Sequence, residues 1–443
     1  MRTAIATYIG LSATLLLAAV PGLGAQRVVT LDDVLRSARD HQPQLAQAHA
    51  NTAAAVARVT EAFSSLLPQV AMNGSYQRTT ANFVARPGVV PRASATIGTA
   101  TNTASWDTFD FYNFGLNANQ LVYDFGQTTG RWRAAEASAQ SLRATEQATL
   151  TSVLLTARQA FFNSSAGQAL VKVAEDTLAN QQRHLDQIQG FVDVGTRPEI
   201  DLAQGRTDVA NAKVQLINAR NQYASAKAVL NQAMGIEAST DYEVRPESMA
   251  PVEDEDFGTE RLFEEATEAR PDLASLNEQR RSQEQTIRSI EGSYGPSFGV
   301  GTGFTDAGNK IGDLGWNWEA GVTMSWNLYQ GGLTKAQVSE ARANLMAIDA
   351  QVSLLRQQIL VQVEQARLNV IANRQALAAA EEALVNAREQ LRLAEGRYQT
   401  GVGSIIELGD AQVAATSAAA QRVQAEFNLA SARAALVQAL GRE

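Results

Sequence analysis

The chain repeats itself once, and the repeat keeps a constant register over most of its length. Three positions recur 206 residues later, with Gly195 matched by Gly401, Asp201 by Glu407 and Gly235 by Gly441. Three others recur 228 residues later, with Pro43 matched by Pro271, Leu45 by Leu273 and Pro68 by Pro296. A repeat of this length is one structural module used twice, rather than the short unit of a solenoid.

The two spacings differ by 22 residues (228 − 206 = 22), so the first copy carries an insertion after Pro68. Because Tyr123 already matches Tyr329 at the shorter spacing, the insertion lies before Tyr123. We assign it to the Thr-, Ala-, Pro- and Gly-rich stretch from Arg78 to Thr108. The sequence therefore predicts a first copy over residues 25–235, an acidic linker over residues 236–258 and a second copy over residues 259–443.

The start of the chain and its composition limit the class of protein. Arg2, a mostly apolar run and small residues at Gly22 and Gly24 predict a signal peptide over residues 1–24. No later apolar run approaches the roughly 18 to 20 residues of a membrane-spanning helix. The chain has no cysteine, which excludes thiolate chemistry and a lipid-modified N-terminal cysteine. Its formal charge of −9 argues against a nucleic-acid partner.

Four segments alternate between apolar and polar residues with the period of a β-strand. Large apolar side chains on one face of these segments include the aromatic residues Tyr112, Phe114, Phe298, Phe304, Trp316, Trp318 and Trp326. Segments of about 9 to 11 residues with aromatic residues near their ends are typical of membrane β-strands, with one face to lipid. The same alternation also fits a soluble sandwich with a half-buried face, and the pattern leaves both interpretations open.

The rest of each copy predicts long helices. No proline interrupts Gln127–Gly190, which would extend about 95 Å as a helix. Large residues recur every seven positions from Leu202 to Leu230, with Gly205 and alanines between them. A strict seven-residue repeat predicts a left-handed coiled coil.

The lengths of the helices predict how they are arranged. The segments Glu199–Met234 and Glu260–Glu291 have 36 and 32 residues, and Leu333–Gln399 has 67. We therefore expect two shorter helices to stack end to end beside one long helix, with the acidic linker bulging out at mid-height.

Four strands per chain cannot close a membrane barrel, because closed barrels begin at about eight strands and lipid tolerates no unpaired sheet edge. If the strands lie in a membrane, the chain must oligomerise. The expected fold is mainly α, with duplicated long helical hairpins and four membrane strands per chain.

One group of acidic residues stands out near Gly401. Glu407 and Asp410 are three residues apart and share a helix face, and Asp201 matches Glu407 in the first copy. In a symmetric oligomer these carboxylates would form a ring that attracts cations. Acidic residues also suit the N-terminus of a helix, and the sequence leaves both interpretations open. No phosphate-binding loop, metal-ligand set or nucleophile elbow is found, so we predict no enzyme, cofactor or metal.

Taken together, these motifs make the chain resemble the TolC family of outer-membrane efflux proteins over essentially its whole length after the signal peptide. The resemblance is carried by the doubled proline–leucine starts, the strand-entry prolines, the strand exits and the two helix turns. The strand exits are Leu121–Gly126 and Asn327–Gly332.

The resemblance implies a homotrimer whose strands form one 12-stranded barrel, continued by a helical tunnel across the periplasm of a Gram-negative bacterium. It implies a passive exit duct for efflux or secretion, docked to a periplasmic adaptor and an inner-membrane transporter. By similarity, Asp201, Glu407 and Asp410 match the constriction, and the adaptor-contacting tips are Val194, Gly195, Thr196, Gly401, Val402 and Gly403. Gly403 stands where the best-known member carries an arginine that helps to close the entrance, so this chain departs from that pattern.

The alternative is a secreted or surface coiled-coil protein without channel activity, whose strands form a small soluble cap. Such a cap would have to cover the aromatic face of the strands. The sequence does not identify the cargo, the pump or the adaptor.

Overall fold

The computed structural model describes residues 27–80 and 106–443. The predicted signal peptide and most of the predicted insertion lie outside these residues. The elements of the first copy are β1 (Arg27–Val29), α1 (Leu31–His41), α2 (Pro43–Ser64), β2 (Gln69–Thr79), β3 (Phe109–Tyr123), α3 (Gln127–Asp193) and α4 (Glu199–Met234). The linker forms β4 (Tyr242–Val244), and the second copy contains α5 (Thr259–Ala269), α6 (Pro271–Gly292), β5 (Ser297–Gly308), β6 (Gly315–Ser325), α7 (Leu333–Gln399) and α8 (Ile405–Ala439).

Two helices of 67 residues, α3 and α7, run the length of the helical part. At 1.5 Å per residue, each is about 100 Å long. The predicted bounds of α4 and α7 are confirmed, and α3 continues three residues beyond the predicted end at Gly190. In each copy, the long helix and the helix that follows it form an antiparallel hairpin whose turn is the tip of the molecule.

The prediction of one helix over Glu260–Glu291 is wrong. The segment forms two helices, α5 and α6, because Arg270 adopts an extended backbone with φ −71° and ψ 121°. A residue before proline is pushed out of the helical region by the proline ring, and Pro271 follows here. The first copy breaks in the same way at Gln42, before Pro43.

The end-to-end stack of two shorter helices lies beside α3. Helix α4 packs along the half of α3 that is nearer the tip, here called the lower part. A Cβ built at Gly205 of α4 would lie 3.2 Å from Leu185 of α3. Helix α6 packs antiparallel along the half of α3 that is nearer the sheet, the upper part, where Ser282 Oγ donates to Ala134 O at 2.8 Å. Helix α6 also packs on α7, so it lies between the two long helices.

The two recurring glycines at the ends of α4 and α8 are explained by close packing. Gly235 has a positive φ of 72°, and a Cβ there would lie 2.6 Å from the carbonyl oxygen of His41. Gly441 has φ 74°, and a Cβ there would lie 3.0 Å from the backbone of Ala269. In both copies the C-terminal end of the second hairpin helix (α4 or α8) therefore contacts the backbone just before the proline that starts the next helix (α2 or α6). Only glycine fits there.

The long strands form one antiparallel sheet in the order β2-β3-β5-β6. The register pairs Leu116 with both Met72 and Phe304, and Phe304 with Trp318, so these side chains share one face. Strand β4 of the linker pairs in parallel with β1 of the first copy near the middle of the helical part. Two apolar clusters lie there: one centred on Phe161 and Leu230, the other on Ile359 and Leu436.

Candidate functional site

The first tip is the turn between α3 and α4. Gly195 has φ 75° with nothing within 4 Å of a Cβ built there, so the turn requires its backbone freedom and not its small size. The backbone N–H and hydroxyl of Thr196 both donate to Phe191 O at 2.9 Å, which closes the end of α3. Val194 projects from this turn with 72% of its surface exposed.

The second tip, between α7 and α8, contains Gly401 with φ 81°. Ser404 caps α8 because its Oγ accepts the backbone N–H of Glu407 at 3.1 Å. Gly403 is buried in the turn, and a Cβ there would lie 2.9 Å from the Tyr398 nitrogen and 3.0 Å from Arg397. Position 403 therefore has no space for an arginine in this conformation.

An arginine instead comes from the other tip. Arg197 precedes Gly403 by 206 residues, so it occupies the equivalent position in the first copy. Its guanidinium lies 4.5 Å from the centre of the Tyr398 ring and donates to the carbonyl oxygens of Tyr398 and Gly403, each at 3.2 Å. Arg197 thus connects the two hairpins of one subunit through a cation–π contact and two hydrogen bonds.

Tyr398 is the centre of this connection. It is almost fully buried, and its hydroxyl lies 3.5 Å from Asp201 Oδ2. Burial, together with the charge of Asp201, raises the pKa of Tyr398 above the usual value of a phenol, and the hydroxyl therefore stays neutral as a donor.

The three acidic residues of the predicted constriction lie in different surroundings. Asp201 is only 7% exposed and faces Tyr398. Glu407 is exposed and forms an ion pair with Arg397, whose Nε lies 2.9 Å from Glu407 Oε1, while Asp410 is exposed on the next turn of α8. In this conformation Glu407 and Asp410 are open to solvent, whereas Asp201 is buried beside Tyr398.

Both tips also carry exposed isoleucines, which the sequence analysis missed. Ile200 and Ile406 lie in the first turns of α4 and α8 and are 73% and 71% exposed. They match each other at the spacing of 206 residues, and this recurrence was the signal that could have identified them. With Val194 and Val402 they make the end of each hairpin apolar.

The sheet has two faces of opposite character. The register places Tyr112, Phe114, Phe298, Phe304, Trp316 and Trp318 on one face. Trp326 follows β6 directly, and its Nε1 donates to Tyr294 O at 3.1 Å. The opposite face carries Asn73, Asn113, Asn117, Asn119, Asn317 and Glu319. One face is thus suited to lipid and the other to water.

Comparison with known proteins agrees with this architecture. The family model "Outer membrane efflux protein" matches residues 34–236 and 262–442. The chain is 23% identical to TolC of Escherichia coli K12 over 435 residues, covering 93% of this chain and 82% of TolC. It is 26% identical to the outer membrane efflux protein BepC of Brucella suis over 343 residues, covering 74% of this chain and 72% of BepC.

Solved structures of outer membrane channels share the fold. The CmeC channel of Campylobacter jejuni has a TM-score of 0.79 at 17% identity, covering 93% of this chain and 85% of CmeC. The open state of the MtrE channel of Neisseria gonorrhoeae has a TM-score of 0.75 at 19% identity, covering 93% of this chain and 89% of MtrE. No described helix is both long and apolar enough to cross a membrane. The resemblance inferred from the sequence is therefore confirmed, and the chain belongs to the outer membrane efflux protein family, whose members are channels of the outer membrane.

Proposed function

We propose that this chain is the outer-membrane exit duct of a tripartite efflux pump or a type I secretion system, and that it works as a homotrimer. The observation that carries the proposal is the sheet, which has an apolar face, a polar face and two unpaired edges. Strands β2 and β6 are the edges, each with one neighbour among the described strands. An unpaired edge is not tolerated in lipid, so β6 of one copy must pair with β2 of the next.

The internal repeat supports a specific register for that pairing. Within the chain, Val70 pairs with Ala118, and the equivalent residues Phe298 and Met324 also pair, so the spacings of 228 and 206 hold in the sheet. The junction between the copies is β3–β5, where Asn117 pairs with Gly303. The equivalent of Asn117 is Thr323 (117 + 206), and the equivalent of Gly303 is Ser75 (303 − 228). The repeat therefore predicts that Thr323 pairs with Ser75 of the next subunit.

The helices support the same neighbour. Helix α6 packs on the long helices of both copies, whereas its equivalent α2 packs on α3 and not on α7 of the same chain. The missing partner of α2 is α7 of another subunit. Accordingly, Val56 and Phe63 on α2 and Met346 and Leu354 on α7 remain exposed. Such a head-to-tail interface closes into a ring, and the similarity to TolC supports three copies.

A disulfide bond tests this register. We expect Ser75→Cys combined with Thr323→Cys to give a covalent trimer under mild oxidation. Paired residues in antiparallel strands have Cα atoms about 4.5 or 5.5 Å apart, within the range of a disulfide bond. The measurement is a non-reducing gel of the protein in outer membranes. Because the chain has no cysteine, only the introduced pair can react.

The matched control combines Thr323→Cys with Ala71→Cys. Position 71 lies on the same face of β2 as position 75 but about 13 Å further along the strand, beyond the reach of a disulfide bond. If both cysteine pairs gave cross-linked dimer and trimer bands of equal intensity, the disulfide bonds would come from random encounters of the cysteines, and the proposed register would be rejected. A monomer on the gel with both pairs would reject the closed ring of subunits.

At the tips, we propose that Glu407 and Asp410 of three subunits line the periplasmic constriction, with Asp201 holding Tyr398 behind them. The tips from Val194 to Thr196 and from Gly401 to Gly403 meet the periplasmic adaptor, and the adaptor links the duct to an inner-membrane transporter. The exposed isoleucines Ile200 and Ile406 support an apolar contact there.

Charge placed on these isoleucines is expected to disrupt the adaptor contact. Ile200→Asp with Ile406→Asp should weaken adaptor binding by at least about 2 kcal/mol, roughly thirtyfold, because two charges would be buried in an apolar contact. The measurement is the amount of adaptor that co-purifies with the tagged trimer. Ile200→Leu with Ile406→Leu keeps the apolar surface and is the control. Equal recovery from both double variants would show that the isoleucines do not contact the adaptor.

A further inference from the structure

An arginine-lined groove lies between α3 and α6 on the upper part of the helical region. It has a volume of about 330 Å³ and is lined by Arg133, Arg281 and Arg288. Glu136 is the one acidic residue among the described residues that line it. The groove is therefore positive in a chain whose formal charge is −9.

In the proposed trimer, the groove faces away from the tunnel. On α6, Ser282 contacts α3 and Gln283 contacts α7. Successive residues of a helix are about 100° apart around its axis. Positions 281 and 288 therefore lie on the side of α6 that faces away from both α3 and α7. A second cavity, lined by residues from α3, α6 and α7 together, occupies the concave side of the same layer. The arginines therefore lie on its convex, outer side.

The groove also lies just below the level of the membrane sheet. Arg288 is four residues before the end of α6 and Arg133 is six residues after the start of α3, about 6 and 9 Å from the helix ends. Half-exposed Tyr294 and Trp326 mark the boundary above them, as aromatic residues do at a membrane surface. The headgroup layer extends about 5 to 7 Å beyond the hydrocarbon on each side, so long arginine side chains reach it.

Two of the arginines, Arg133 and Arg288, lie at nearly the same height in the groove. Side chains on a helix lean toward its N-terminus. Because α3 and α6 are antiparallel, Arg133 leans toward the membrane and Arg288 leans away from it, and Arg288 lies only about 3 Å higher, roughly half a turn. Among the described residues neither has an ion-pair partner, whereas Arg281 lies 3.7 Å from Glu278.

The repeat provides an internal comparison. By the spacings of 206 and 228 residues, Arg133 corresponds to Ser339, and Arg288 and Arg281 correspond to Thr60 and Ala53. The equivalent groove between subunits therefore has the same helix packing without these three arginines. The fold therefore does not require arginine at these positions, and the exposed guanidinium groups are available to bind a ligand.

We propose that Arg133 and Arg288 bind the phosphate of an anionic phospholipid in the periplasmic leaflet of the outer membrane, one lipid per subunit. Guanidinium groups bind phosphate through paired hydrogen bonds, and two of them from different helices hold it more firmly than one. The proposal rests on the position of the chain in the outer membrane, but it is independent of the tips, the adaptor and the cargo.

The test compares the thermal unfolding of the delipidated trimer in dodecyl maltoside with added dioleoylphosphatidylglycerol or dioleoylphosphatidylcholine. We expect phosphatidylglycerol to raise the melting temperature more, and the difference to shrink at high salt. Arg133→Gln with Arg288→Gln should abolish the difference, and Arg133→Lys with Arg288→Lys should keep part of it. The control Arg183→Gln with Arg206→Gln removes two exposed charges from the lower hairpin and should keep all of it.

Two outcomes would overturn the proposal. One is a glutamine variant that still distinguishes the two lipids. The other is an equal rise in melting temperature with inorganic phosphate or glycerol 1-phosphate, which would show a general anion site rather than a lipid site. If the glutamine variant does not assemble, native mass spectrometry of the unmodified trimer decides, because fewer than one retained phosphatidylglycerol per subunit at low salt rejects the site. The disulfide bond between positions 75 and 323 tests the duct separately.

Discussion

Replacing Arg433 with methionine is expected to destabilise the folded subunit by about 3–5 kcal/mol, because the buried Glu255 carboxylate would lose its bidentate partner and keep only the half-exposed Arg374, at 3.7 Å, as a cation nearby. Arg433 Nε and Nη2 donate to the two carboxylate oxygens of Glu255, each at 3.0 Å, and Nη1 donates to Met249 O at 2.8 Å. The two side chains are only 11% and 5% exposed. This pair anchors the acidic linker to α8 at mid-height.

The measurement is the thermal unfolding of the purified trimer, followed by its helical circular dichroism. Arg374→Met is the matched control, because Arg374 contacts Asp256 at 2.9 Å and Glu255 at 3.7 Å but is 45% exposed. An exposed ion pair contributes about 0–1 kcal/mol, so the control should change the melting temperature little. Equal losses in the two variants would show that burial of the pair has no special effect.

Removing both charges separates the cost of leaving the Glu255 carboxylate buried without Arg433 from the loss of the contact itself. Glu255→Met combined with Arg433→Met should be more stable than Arg433→Met alone. It should not reach the original stability, because Met249 O and the Val252 N–H lose their partners, at about 1–3 kcal/mol each. A double variant less stable than the single variant would contradict this explanation.

The long helices and the sheet faces were predictable, because both depend on patterns that are local in the sequence. Helix α4 follows from the seven-residue repeat between Leu202 and Leu230, and the faces of β6 follow from strict alternation. The break between α5 and α6 was missed although Pro271 was recognised as a repeat marker. The short pair β1–β4 has three residues per strand, too few to show a period.

The contacts at the tips were only partly predictable, because they join residues that are far apart in the chain. Glu407 and Asp410 were visible as neighbours on one helix, and both are exposed in the structure. The contact of Arg197 with Tyr398 joins residues separated by 201 positions, and no local pattern indicates it. The repeat alone carried a hint, since Arg197 is the equivalent of Gly403. An arginine that looked absent from one tip is therefore supplied by the other.

Glu407→Gln combined with Asp410→Asn is expected to weaken the block of single-channel current by divalent and trivalent cations by about tenfold or more. In a trimer the two changes remove six carboxylates around one axis. A tenfold weaker block corresponds to a loss of about 1.4 kcal/mol in the free energy of cation binding. This is a small loss for the removal of six carboxylates that together attract a multivalent cation at a narrow entrance. The amide side chains keep the size of the originals, so the measurement reports on charge rather than on the width of the constriction.

Two further variants make the result specific to the constriction. Arg397→Ala should strengthen the block, because Arg397 Nε lies 2.9 Å from Glu407 and offsets its charge. Glu199→Gln removes an exposed carboxylate from the first turn of α4, outside the group formed by Glu407 and Asp410, and should leave the block unchanged. A block that falls equally in Glu199→Gln would mean that cations respond to the overall charge of the tips. A block unchanged by the double variant would mean that Glu407 and Asp410 do not line the path of the current.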